Sequence, residues 1–87
     1  MSADDDLSMF LLLGVVQAGE DADALVDNAI IARRLGWDLT KVSAALQQAK
    51  DRALIWGRRT GDKPAPWYTE LEVTVQGRRL LRDHDGS

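Results

Sequence analysis

Two helical patterns separated by only three residues constrain this chain more than any other feature. The first runs from Asn28 to Leu35, with Asp27 placed to cap its start and Gly36 to close it. Trp37 and Asp38 fill the turn. The second runs from Leu39 or Thr40 to Ala53, and its apolar positions are Val42, Ala45, Leu46, Ala49 and Ala53. At about 100° per residue these form one stripe about 100° wide. The opposite face carries Thr40, Ala44, Gln47, Gln48 and Asp51, with Lys41 and Ser43 at its edges. The connection is too short for anything but a direct turn from one helix into the next.

The flanks are less regular. Residues 1–6 read as a disordered acidic tail. Leu7 to about Gln17 reads as a first helix, apolar on nearly all sides, with Gly19 as its stop. Such a helix is either central to the core or shared with a partner. Glu20–Asp23 is a polar connector, and Ala24–Val26 a short extended piece. A rival reading starts the second helix near Asp23 and runs straight through; both stay open. Downstream, Leu54–Trp56 reads as a strand and Gly57–Pro66 as a loop rich in Gly, Pro and charge. From Trp67 to Val73 the chain alternates, with Trp67, Thr69, Leu71 and Val73 on one face and Tyr68, Glu70 and Glu72 on the other. The two strands make a hairpin with a long tip. Thr74 caps a last short helix from Val75 to about Arg82, and residues 83–87 read as a second disordered tail. The folded domain is thus expected over residues 7–82.

Composition narrows the function classes. The chain has 87 residues, enough for one modest core. It has no cysteine and one histidine, His84, so neither a disulfide nor a thiolate metal site is expected, and no cofactor. The apolar run Met9–Val16 is far short of the ~20 residues that span a bilayer. Asp4, Asp5 and Asp6 precede it, the wrong charge for a signal peptide. A cytoplasmic location and no membrane contact are the expectation. Catalysis is not expected. The acids, serines and His84 show no dyad or triad spacing, and the glycines of 57–63 lack a phosphate-loop context.

The net charge of −3 hides a segregation. Residues 1–32 hold seven acids and no Lys or Arg; residues 33–87 hold all eleven Lys and Arg against seven acids. An asymmetry of this kind points to a side that faces a polyanion, or to a dipolar surface without a ligand.

Certain segments resemble a known family. Ile31-Ala32-Arg33-Arg34-Leu35-Gly36 is similar to the helix-turn signature of winged helix-turn-helix proteins, with Val42 six residues beyond Gly36. Val73-Thr74-Val75-Gln76-Gly77-Arg78-Arg79-Leu80-Leu81 resembles the segment that ends the wing in MarR- and PadR-type transcriptional regulators. Ala53-Leu54-Ile55 stands where those proteins often have Gly-Leu-Ile, so the junction at Ala53 is expected to differ slightly. The resemblance covers residues 27–82. It implies an α+β fold: a three-helix core, a wing hairpin of two or three strands, and a short C-terminal helix.

For function, the resemblance implies a small DNA-binding regulator. The third helix would enter the major groove through Thr40, Lys41, Ser43, Ala44, Gln47 and Gln48. Arg58, Arg59 and Lys63 on the wing, with Arg33 and Arg34 at the end of the second helix, would meet backbone phosphate. Double-stranded DNA is then the partner, and a homodimer through Leu7–Val16 is expected. Against this stand Asp51 on the exposed helix face and a groove face with one strong cation, Lys41. The alternative is a winged-helix adaptor that binds protein, not DNA, and uses the acidic first third for steering.

Overall fold

The computed structural model describes residues 3–61 and 67–86, with the backbone alone for 3–6 and 84–86. The order is α1 (Ala3–Asp21), α2 (Asn28–Leu35), α3 (Leu39–Asp51), β1 (Ile55–Gly61), β2 (Trp67–Val73) and α4 (Val75–Gly86). Three helices surround one core, an antiparallel hairpin closes one side, and α4 returns to pack on α1.

Helix α1 corrects the expected boundaries. It begins at Ala3, inside the segment read as a tail, and runs through both Gly14 and Gly19 to Asp21. Gly19 is not a stop, because its role is packing. A Cβ there would collide with the Cγ2 of Val26 in the returning connector. The helix ends at Asp21, and the turn that follows holds Asp23 at a left-handed φ of 55°. There the N–H of Ala24 donates to the carbonyl of Gly19, and that of Asp23 to the carbonyl of Glu20. Asp is among the few residues that tolerate this conformation without glycine. At the other end of the chain α4 runs on to Gly86 through residues expected to be a tail.

The α1 surface read as a dimer patch is largely core. Met9, Leu12, Leu13 and Val16 are fully buried, at the i, i+3, i+4, i+7 spacing of one helix face. Each contributes about 1.5–3 kcal/mol by leaving water. Leu7 and Leu11 remain exposed, and Phe10 and Val15 are half-buried.

The α2–turn–α3 unit forms as its local sequence dictates. Asp27 is extended at φ −134°, and its Oδ1 accepts from the Ile30 N–H at 3.0 Å. Ala24–Val26 is therefore not helical, and the rival start near Asp23 is excluded. Gly36 takes φ 69°, and the carbonyl of Ala32 accepts from the N–H groups of both Gly36 and Trp37. Ile31, Val42, Leu46 and Ala49 fill the space between the helices.

α3 stops at Asp51 rather than Ala53. Ala53 takes a left-handed φ of 58°, while Leu54 N–H donates to Ala49 and Ala53 N–H to Lys50. The alanine thus adopts the geometry a glycine would take there. Its Cβ costs about 1–2 kcal/mol in that conformation. Ala53→Gly is expected to stabilise the chain by about 0.5–1 kcal/mol, part of the gain being lost to the freer unfolded chain. Thermal unfolding checks this; an unchanged or lower midpoint contradicts it.

β1 is longer than expected. It extends from Ile55 to Gly61, into the segment read as loop, and Leu54 lies outside it; the loop residues 62–66, Lys63 included, lie outside the described residues. The described sheet has two strands. Its register holds the main surprise. Trp56 pairs with Glu72 and Arg58 with Thr69, so β1 advances two residues while β2 advances three. The extra residue is a bulge around Glu70, which has φ 55°. The bulge flips parity, so Tyr68 joins Leu71 and Val73 in the core instead of facing solvent with Glu70 and Glu72. Gly57 faces the bulge, where a Cβ would lie 2.6 Å from Leu71 Cδ2.

Thr74 caps α4 as expected, its Oγ1 accepting from Gly77 N–H at 3.0 Å. The same hydroxyl donates to the Ala53 carbonyl at 2.6 Å, so α4 is also tied to the α3–β1 junction.

Candidate nucleic-acid interface

The outer face of α3 is set by its cap. Asp38 is extended, and its Oδ1 accepts from Lys41 N–H at 2.7 Å, fixing where the helix begins. From that start Thr40, Ala44, Gln47 and Asp51 follow at i, i+4, i+7 and i+11, all exposed. Lys41 is exposed beside them and Gln48 is half-buried. Lys41 does not hang free: its Nζ sits 4.4 Å from the centroid of the Trp37 ring. A cation over an indole face is attracted by the ring quadrupole. The half-buried Trp37 so positions the one cation at the head of this face.

Ser43 is the member of the expected set that the structure removes. It is 4% exposed, and its Oγ accepts a 3.0 Å hydrogen bond from Asn28 Nδ2. The reason lies in packing from two sides. The apolar stripe faces the core, and the start of α2 together with the start of β2 covers the neighbouring flank where Ser43 lies. Five groove candidates on α3 therefore remain accessible: Thr40, Lys41, Ala44, Gln47 and, in part, Gln48.

Asn28 is the residue that sequence reasoning missed. It has no exposed surface. Its amide donates to Ser43 on α3, and its Oδ1 accepts from the Tyr68 N–H on β2 at 2.8 Å. One side chain thus joins α2, α3 and β2. The signal in the sequence was faint, since an asparagine just after a cap aspartate reads as a polar first-turn residue. A second clamp acts from the far side, where Lys50 Nζ lies 4.9 Å from the Tyr68 ring centroid.

On the wing, Arg58 and Arg59 are both exposed and pair across the hairpin with Thr69 and Tyr68. Trp56, on the same strand, is 67% exposed, so it is neither core nor covered by a neighbour. Arg33 and Arg34 are exposed in the last turn of α2. They border a cleft between α1 and α2 that no residue of α3 or the wing lines.

Acids from both halves of the chain meet in space. Glu20, Asp23, Glu70 and Glu72 line an open cleft of about 600 Å³ between the end of α1 and the bulge of β2. Glu20 does structural work there. It accepts from Val73 N–H at 3.2 Å and pairs with Arg78 at 3.4 Å. Among the described residues no group of three His, Cys, Asp or Glu could hold a metal ion, and no helix is long and apolar enough to cross a membrane.

No family model and no curated protein matches the chain. Among solved structures, a doubly substituted variant of ZitR from Lactococcus lactis is similar over 99% of this chain, with a TM-score of 0.60 and 19% sequence identity. The chain spans about half of that protein, 51% of its length. At this identity the likeness speaks to fold: four helices and a two-stranded antiparallel hairpin in the α+β winged-helix arrangement.

Proposed function

We propose that this chain is a DNA-binding winged-helix regulator. The observation that carries the reading is the exposed polar face of α3, headed by a positioned Lys41, in a chain whose wing displays Arg58 and Arg59. The fold it shares with ZitR, a winged-helix transcriptional regulator, supports it. In this reading α3 lies in the major groove. Gln47 and Gln48 are the groups able to read adenine edges, and Thr40 serves either base or phosphate. Arg58 and Arg59 meet backbone phosphate from the wing, with Lys63 beside them in sequence, and Arg33 and Arg34 meet it from α2. One helix and one wing give modest affinity, so a second copy is needed for a specific site. Leu7 and Leu11 are the large apolar side chains that the described part of α1 leaves exposed for that contact.

The salt dependence of DNA affinity tests this reading. Several phosphate contacts give a steep fall of log affinity against log salt. Arg58→Ala together with Arg59→Ala is expected to weaken binding by a similar factor on every sequence and to reduce the slope by about two. Absence of measurable binding at low salt overturns the reading. The adaptor reading then takes its place, favoured by the four carboxylates around the cleft at Glu70.

A further inference from the structure

The cleft between α1 and α2 has a composition that the DNA reading does not use. Its volume is about 220 Å³. Its walls are the aliphatic side chains of Val15, Ala18, Ala22, Leu25, Val26 and Ile30. Leu25 is 74% exposed at the rim, a large apolar surface for a chain of this size to leave in water. The only polar side chains lining the cleft are Arg33 and Arg34, both exposed. Neither side chain makes a hydrogen bond or ion pair with another described residue.

We infer that this cleft binds an aliphatic carboxylate, with the alkyl chain along the α1–α2 groove and the carboxylate on Arg33 and Arg34. Three observations select that class. An apolar lining that carries two arginines as its charged members matches an amphiphile with a single anionic head. The lining contains no aromatic ring and no polar side chain besides the two arginines, so no other side chain there selects a planar or hydroxylated ligand. The volume lies below the ~300 Å³ at which drug-sized pockets begin, which limits the occupant to a short chain. The site is made by a backbone feature already described. Because the turn after α1 holds Asp23 at a left-handed φ, the connector folds back over Gly19 and sets Leu25 and Val26 beside Ala18 and Ala22. With the carboxylate bound, both guanidinium groups are withdrawn from the phosphate contact assigned to them above. That consequence rests on the DNA reading, whereas the binding itself does not.

Octanoate is the probe, titrated into the full chain without DNA and followed by amide chemical shifts. Saturable shifts confined to Ala18, Ala22, Leu25, Ile30 and Arg33 are expected. Octanol, which has the chain without the charge, should bind about tenfold more weakly, and so should octanoate to the R33Q/R34Q variant. Both arginines are exposed, so that variant keeps its fold, and its amide spectrum verifies this. Leu25→Asp, at the rim, should abolish the shifts. Equal binding of octanol and octanoate overturns the inference, as do shifts spread over Leu7 and Leu11, or no shifts at all. A cleft closed by a second copy of the chain gives the last result together with dimeric sedimentation. A separate DNA titration with and without octanoate reads the consequence, so failure of DNA binding leaves the octanoate result standing.

Discussion

Gly77→Ala is expected to destabilise the chain by about 2–3 kcal/mol and to lower the unfolding midpoint by about 10–20 °C. In a helix, alanine is ordinarily better than glycine by about 1 kcal/mol. At Gly77, however, a Cβ would run into the carbonyl oxygen of Leu54 and lie 2.7 Å from Val73 Cγ1. The backbone carbonyl cannot swing aside. It already accepts from Thr74 N–H at 3.0 Å, and Thr74 also anchors the junction through the Ala53 carbonyl. Relief comes only by lifting α4 from the α3–β1 turn, which uncovers Leu81 and the flank of α1. Gly14→Ala is the matched control. Gly14 is exposed in the middle of α1 with nothing within 4 Å of its Cβ site, so the same change should stabilise by about 0.5–1 kcal/mol. Thermal unfolding of the two variants checks both. Shifts in the same direction would show that α4 yields.

The second large effect is expected at Asn28. Asn28→Ala removes the acceptor of the Tyr68 N–H and the donor to Ser43 Oγ, both buried. A buried N–H left without a partner costs about 1–3 kcal/mol, and the lost volume adds a cavity. We expect about 2–4 kcal/mol in total, read by denaturant or heat. The variant also makes a local claim. Because Asn28 ties the start of β2 to α2 and α3, the Tyr68 amide should lose hydrogen-exchange protection by more than the global loss of stability explains. A loss equal to the global one would mean that the wing is held by Lys50 and the apolar contacts of Tyr68 instead. In Ser43→Ala the Tyr68 bond survives, so its cost should be smaller, and the double variant should be non-additive.

Both predictions fall on residues whose importance the sequence half showed. Gly77 and Thr74 stood in a recognisable wing-ending segment, but that segment carries no atom-level reason for the glycine. The reason is the Leu54 carbonyl, 23 residues away in sequence. The exposed set on α3 was legible because a helix face follows from spacing alone. Ser43 was misplaced because its burial depends on Asn28 and on the chain around Tyr68. The apolar α1 was rightly read as core or interface, and the packing assigned Met9, Leu12, Leu13 and Val16 to the core.

The helix–turn–helix that constrained the chain from the start is a local product. Asp27, Gly36 and Asp38 act on backbone groups no more than four residues away, so their effects can be read in order along the chain. The tertiary structure alone decided the rest. A bulged residue at Glu70 changed the buried face of β2 on the side away from Leu71 and Val73, and so placed Tyr68 inside. The approach of the connector made Gly19 a packing residue instead of a helix stop. The physical reason is common to both. Strand parity and close backbone contact depend on groups distant in sequence, and no period or propensity within one segment encodes the position of the other.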